Sequence, residues 1–147
     1  MRRTTRAVAA AALAGGLGLV AAAPAQAAME IYDISNATRL AEGAAVEGTY
    51  TVDCTEGTTV LVALNVTQRV SEGRIANGNH SRQWTCEGGE VTLPYQTVAY
   101  NMAFDEGPAV VSGFIQECPA GQQFCGPGTQ LPLLVIQITD EVPNPVE

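Results

Sequence analysis

The chain has 147 residues with seven basic side chains, fifteen acidic ones and a formal charge of −8, which argues against nucleic-acid backbones and anionic lipid as partners because both would repel it. Its single histidine leaves no histidine-based metal cluster to build. One domain is the expectation at this length, large enough for a core yet small enough to profit from cross-links.

Residues 1–27 divide into a charged start with Arg2, Arg3 and Arg6, an apolar run over 7–23, and Ala25-Gln26-Ala27, small residues at a cleavage site. That pattern predicts a secretory signal peptide. Gly15, Gly16 and Gly18 interrupt the run, and about 17 mostly alanine residues are short and weakly apolar for a membrane span. The Arg2-Arg3 pair leaves twin-arginine export open. Cleavage near Ala27 would leave residues 28–147 as one secreted domain with no membrane span. It would hold Arg39, Arg69, Arg74 and Arg82 against all fifteen acids, a charge of −11. Four cysteines in an exported chain are expected to form two disulfides.

The exported part reads as strands throughout. Residues 28–34 predict a first edge strand that ends at the turn signal Ser35-Asn36. Residues 46–54 alternate, with Val46, Gly48, Tyr50, Val52 and Cys54 on one face and Glu47, Thr49, Thr51 and Asp53 on the other. Residues 58–70 follow, with Val60, Val62, Leu64 and Val66 inward. A straight strand of that length would span roughly 40 Å, so it is expected to bend, to carry a bulge or to project. Residues 71–79 read as a hairpin connection and 80–86 as the returning strand. Further strands are predicted at 91–95, where Pro94 belongs on an edge or at a bend, and at 98–104, 110–118 and 133–139. A polar tail, 141–147, closes the chain. Seven to eight short strands, regular turn signals and no helical period predict an all-β antiparallel β-sandwich, with a small barrel as the alternative.

Strand direction chooses among the three possible cysteine pairings. Cys54 and Cys86 each end an upward strand just before a glycine turn, V-D-C-T-E-G and W-T-C-E-G-G. A bridge between them needs Cα atoms about 4.4–6.8 Å apart, so the 58–70 strand cannot lie between their strands in one ladder. The 80–86 strand must pair beside the 46–54 strand or lie across the fold from it. Cys118 and Cys125 then close a short loop between the last two strands.

Residues that could carry chemistry are sparse. There is no G-x-S-x-G elbow, no calcium loop and no phosphate-cradling glycine loop before a helix. The acid pairs Asp105-Glu106 and Asp140-Glu141 sit at predicted turns, where carboxylates are ordinarily solvated. No enzyme activity, metal or cofactor is expected. Trp84 is expected in the core near Cys86. Two segments remain as candidate partner contacts. One is the polar tip over 71–80 with Arg74, Asn77 and His80. The other is the cysteine loop with Gln122, Gln123 and Phe124, whose fixed ends would lower the ordering cost of binding.

The run G-T-Y-T-V-D-C-T-E-G-T-T-V-L-V-A-L-N-V-T-Q-R-V-S-E-G-R-I-A-N-G, followed by W-T-C and A-F-D-E-G-P-A-V-V, resembles an uncharacterised family of small exported actinobacterial proteins. The resemblance covers roughly residues 40–138. It implies an immunoglobulin-like β-sandwich and no known activity. In profile the chain is also similar to the apoproteins of enediyne antibiotics, which are exported, acidic sandwiches with two disulfides, although no motif of theirs is present. The expected function is a secreted, monomeric, non-enzymatic binding or interaction module whose partner is a protein, cell-wall or small-molecule ligand. The alternatives are a small-molecule carrier and a protease inhibitor that uses the loop from Cys118 to Cys125.

Overall fold

The computed structural model describes residues 31–122 and 125–140. The expected signal peptide, residues 28–30 of the first strand, Gln123, Phe124 and the tail 141–147 lie outside the described residues. Nine strands form one mixed, curled sheet: β1 Ile31–Ile34, β2 Ala37–Leu40, β3 Ala45–Cys54, β4 Thr59–Arg69, β5 Ile75–Thr85, β6 Gly89–Val98, β7 Gly107–Cys118, β8 Thr129–Gln130 and β9 Leu134–Asp140. Among the described residues, the helical elements are two three-residue 3₁₀ turns, Ala41–Gly43 and Ser71–Gly73.

The sheet has two parts. In one, β3 pairs with β1 and with β6. In the other, the order is β9-β7-β4-β5, with β8 added to β7. Strand β2 joins them, running antiparallel to β3 and parallel to β9. The purely antiparallel sheet is corrected by β2, and the expected seven to eight strands become nine because β2 and β8 are added while the strand predicted at 98–104 is lost. The four residues of β2, A-T-R-L, are too few to show a period, and its conformation comes from two flanking backbones. The crossing point is Ser35-Asn36. Ser35 donates its amide to Thr49 O and accepts the Thr49 amide on Oγ, both at 2.9 Å, so one serine replaces a ladder rung. Asn36 Oδ1 accepts the Gln137 amide of β9 at 2.9 Å.

Alternation supplies the core. Val46, Tyr50, Val52 and Cys54 of β3 face Val60, Val62, Leu64 and Val66 of β4 within one buried cluster, completed by Tyr95, Phe104, Ile115 and Ile138. Trp84 packs against it. The longest predicted strand loses a residue at each end, and β4 keeps an unbroken register of eleven pairs with β5. It therefore carries no bulge. The curl of the sheet takes up its length.

Two sequence readings are corrected nearby. The stretch 71–79 is a tight turn followed by strand, and β5 begins at Ile75. Gly78 serves close packing here: a Cβ would lie 2.6 Å from Val98 O. Residues 99–106 are loop, although 98–104 alternate. Their amides bond to two different segments, Ala99 N to Ala44 O and Phe104 N to Gly43 O in one, and Tyr100 N to Asn77 O in the other. Buried Gln68 holds the next residue like a ladder partner. It donates from Nε2 to Asp105 O at 2.9 Å and accepts the Asp105 amide on Oε1 at 2.8 Å.

Two disulfides are present, Cys54–Cys86 and Cys118–Cys125, with Cα atoms 6.1 and 4.4 Å apart. Strands β3 and β5 share no ladder, so the larger bridge crosses between the two parts of the sheet.

Candidate functional site

The period of two that buries one side of β4 turns Leu61, Ala63, Asn65 and Thr67 outward. Register then sets the neighbours of Asn65: Asn79 of β5 lies across from it on one side, and Ser112 of β7 on the other. The same parity brings Ser81 and Gln83 outward from β5, and Phe114 and Gln116 outward from β7. None of these side chains is charged, and Arg69 at the end of β4 is the next outward position beyond them. Across the molecule the matching outward positions of β3 and β6 carry Glu47, Asp53 and Glu90. The acidity of the chain is thus segregated away from the β5-β4-β7 face.

That face is preorganised. Thr67 Oγ1 donates to Asn65 Oδ1 at 2.7 Å, and Asn65 Nδ2 donates to Asn79 Oδ1 at 2.5 Å. With its oxygen engaged, exposed Asn79 presents its NH₂ group to solvent. Phe114 is half-buried, and Gly128 lies against its ring, where an added Cβ would come 3.0 Å from Cδ2. A shallow depression of about 300 Å³ opens here, lined by Ala63, Asn65, Asn79, Ser81 and Phe114 among others. At its border Val110 pairs with Val135, and Val135 and Leu133 are 69% and 75% exposed. A second groove, about 390 Å³, runs beside Tyr100 and Met102. Trp84 lines neither.

The residues expected at one polar tip are dispersed. Arg74 stays in the turn, donating to Ser71 O and Ser71 Oγ at 3.4 Å and reaching Glu72 at 3.8 Å. Asn77 is half-buried in β5 and gives its carbonyl to Tyr100. His80 lines the floor of the depression and turns its ring inward, with ring centroids 6.0 Å from Tyr50 and 6.4 Å from Tyr95 in edge geometry. Gln122 of the cysteine loop is exposed. Ser112 and Phe114 have no signal of their own in the sequence, and Asn65 and Ser81 stand out there only within the sequons Asn65-Val66-Thr67 and Asn79-His80-Ser81. The available signal was the lack of charge at alternate positions of three strands, but only their pairing shows that these positions share a face.

Around His80 the core is polar: the Tyr50 and Tyr95 hydroxyls, Thr97 Oγ1 and His80 Nε2 are buried with no protein hydrogen-bond partner. Burial pushes both tyrosines up to about 12. Burial also lowers the His80 pKa, opposed by a backbone hydrogen bond with Gln96 and reinforced by Arg82. A histidine whose folded pKa is depressed contributes its full stability above the unfolded value of about 6.5, and loses it as pH falls through the folded value. Urea midpoints should therefore fall between pH 7.5 and 5.5. In His80→Gln that fall should flatten, and an unchanged slope would show that His80 does not cause it.

Among the described residues, no three His, Cys, Asp or Glu side chains come together in a way that could hold a metal ion. No helix there is long and apolar enough to cross a membrane. Comparisons with family models, with curated proteins and with solved structures find no match to this chain.

Proposed function

We propose that the protein is a secreted, non-enzymatic binding module on an immunoglobulin-like sandwich, with the outer face of β5-β4-β7 as its binding surface. The observation that carries this reading is the uncharged, preorganised stretch of that face around its depression, set in a strongly acidic chain. Surface strands ordinarily keep charge outward for solubility, so a charge-free stretch across three strands marks a surface meant to be covered. The sandwich reading is supported by the division of the sheet: β1, β3 and β6 form one set and β9, β7, β4 and β5 the other, with β2 paired to both. Export is supported by the two disulfides, which persist in oxidising compartments.

The test is a titration of amide resonances with size-fractionated culture fluid and solubilised cell wall. Shifts should concentrate on Ala63, Asn65, Asn79, Ser81 and Phe114. Shifts confined to the β3 and β6 face, or none in any fraction, would overturn the reading.

A further inference from the structure

We infer that the β5-β4-β7 face binds a neutral glycan; this rests on the binding-module reading and names the ligand class for the same face. The argument runs by chemistry. An anionic ligand would find no arginine or lysine among the residues that line the depression, and it would approach a chain of net charge −8. A cationic ligand would be better served by the opposite side, where Glu47 and Asp53 point outward. An apolar ligand would cover the Asn79 and Asn65 amides and return no hydrogen bonds, leaving buried polar groups unpaired.

A polyol satisfies all three conditions. Its hydroxyls both donate and accept, matching an amide row whose orientation is already set by Thr67 and Asn65. The electropositive C–H face of a pyranose also suits the negative face of an aromatic ring, and Phe114 lines the depression beside Asn79 and Ser81. The depression is open and shallow, about 300 Å³, which fits a sugar unit of a chain lying across the strands better than an enclosed small molecule. Fixed side chains keep the ordering cost of binding low.

The experiment is retention of the exported protein on chitin, cellulose, curdlan and starch, with anionic alginate as control. Retention on at least one neutral polymer is expected, with none on alginate and little loss in about 0.5 M sodium chloride, since no charge pair is screened. Asn79→Ala should weaken retention about tenfold, as for one charge-free hydrogen-bonding group lost at a covered site. Ser81→Arg should abolish it. Both positions are exposed, so the fold should persist, and a thermal melt checks that. No retention on any of the four polymers, or equal retention by both variants, overturns the inference. If the amide titration locates a non-carbohydrate ligand on the face while all four polymers fail, the glycan inference falls and the binding-module reading stands. Perturbation of the opposite face removes both.

Discussion

Gly43→Ala is expected to destabilise the protein by about 3 kcal/mol or more, among the largest single-site effects in the chain. Two penalties coincide there. Gly43 has φ +89°, where a Cβ is strained at a cost of about 1–3 kcal/mol. That Cβ would also lie 2.0 Å from Phe104 O, an approach that only movement of backbone could relieve. Phe104 cannot move cheaply: its ring is fully buried, its amide donates to Gly43 O at 2.8 Å, and the next residue is held by Gln68. Gly57 supplies the control, having φ +79° with nothing within 4 Å of an added Cβ. Gly57→Ala should cost only the backbone strain. Equal urea midpoint shifts for the two variants would show that the close approach contributes nothing.

Removing the Cys54–Cys86 bridge by a double alanine substitution should cost more than removing Cys118–Cys125. The sequence separations are 32 and 7, and loop-closure entropy alone then assigns ceilings of about 3.7 and 2.5 kcal/mol. Packing widens the difference, because Cys54 and Cys86 are core residues whereas Cys125 is exposed. Position acts in the same direction. The larger bridge ties the end of β3 to the end of β5, two strands that share no ladder, although Gly89 at the start of β6 already pairs with Cys54. Some of its effect is duplicated by backbone, since Cys86 donates to Thr58 O at 2.8 Å and accepts from Gly57 N at 2.9 Å. Denaturant curves for the two double variants give the comparison. Equal losses would mean that those hydrogen bonds, and not the sulfurs, hold the junction.

Strands with a clear period were legible from the residues. Tyr50, Val52, Val60, Val62, Leu64 and Val66 are buried as their alternation demands, because a pleated strand with one buried face has no other way to place them. Where alternation misled, it did so for a specific reason. Residues 98–104 carry the pattern but from 99 onward form a loop, with Phe104 buried and Tyr100 62% exposed, since apolar spacing says nothing about whether a neighbouring backbone is available to pair. Conversely, Asn77, Gly78 and Asn79 have turn composition yet lie in β5. Eleven rungs with β4 outweigh the weak local preference of glycine and asparagine.

The candidate face shows the same division. Its chemistry, uncharged amides, hydroxyls and one phenylalanine, stands in the residues of three separate segments. Its existence as a surface does not, because Asn65, Asn79 and Phe114 become neighbours only through the β5-β4-β7 register. The predicted polar tip over 71–80 is dispersed for that reason, with Arg74 left in the turn and His80 beneath the depression. The sequence by itself determined the all-β class, the two half-cystine pairs and which side of each long strand is buried, since all three follow from local periodicity and chain direction. Only the tertiary structure decided the parallel β2–β9 seam, the loop at 99–106 and the charge-free face, since each depends on which distant backbone lies alongside.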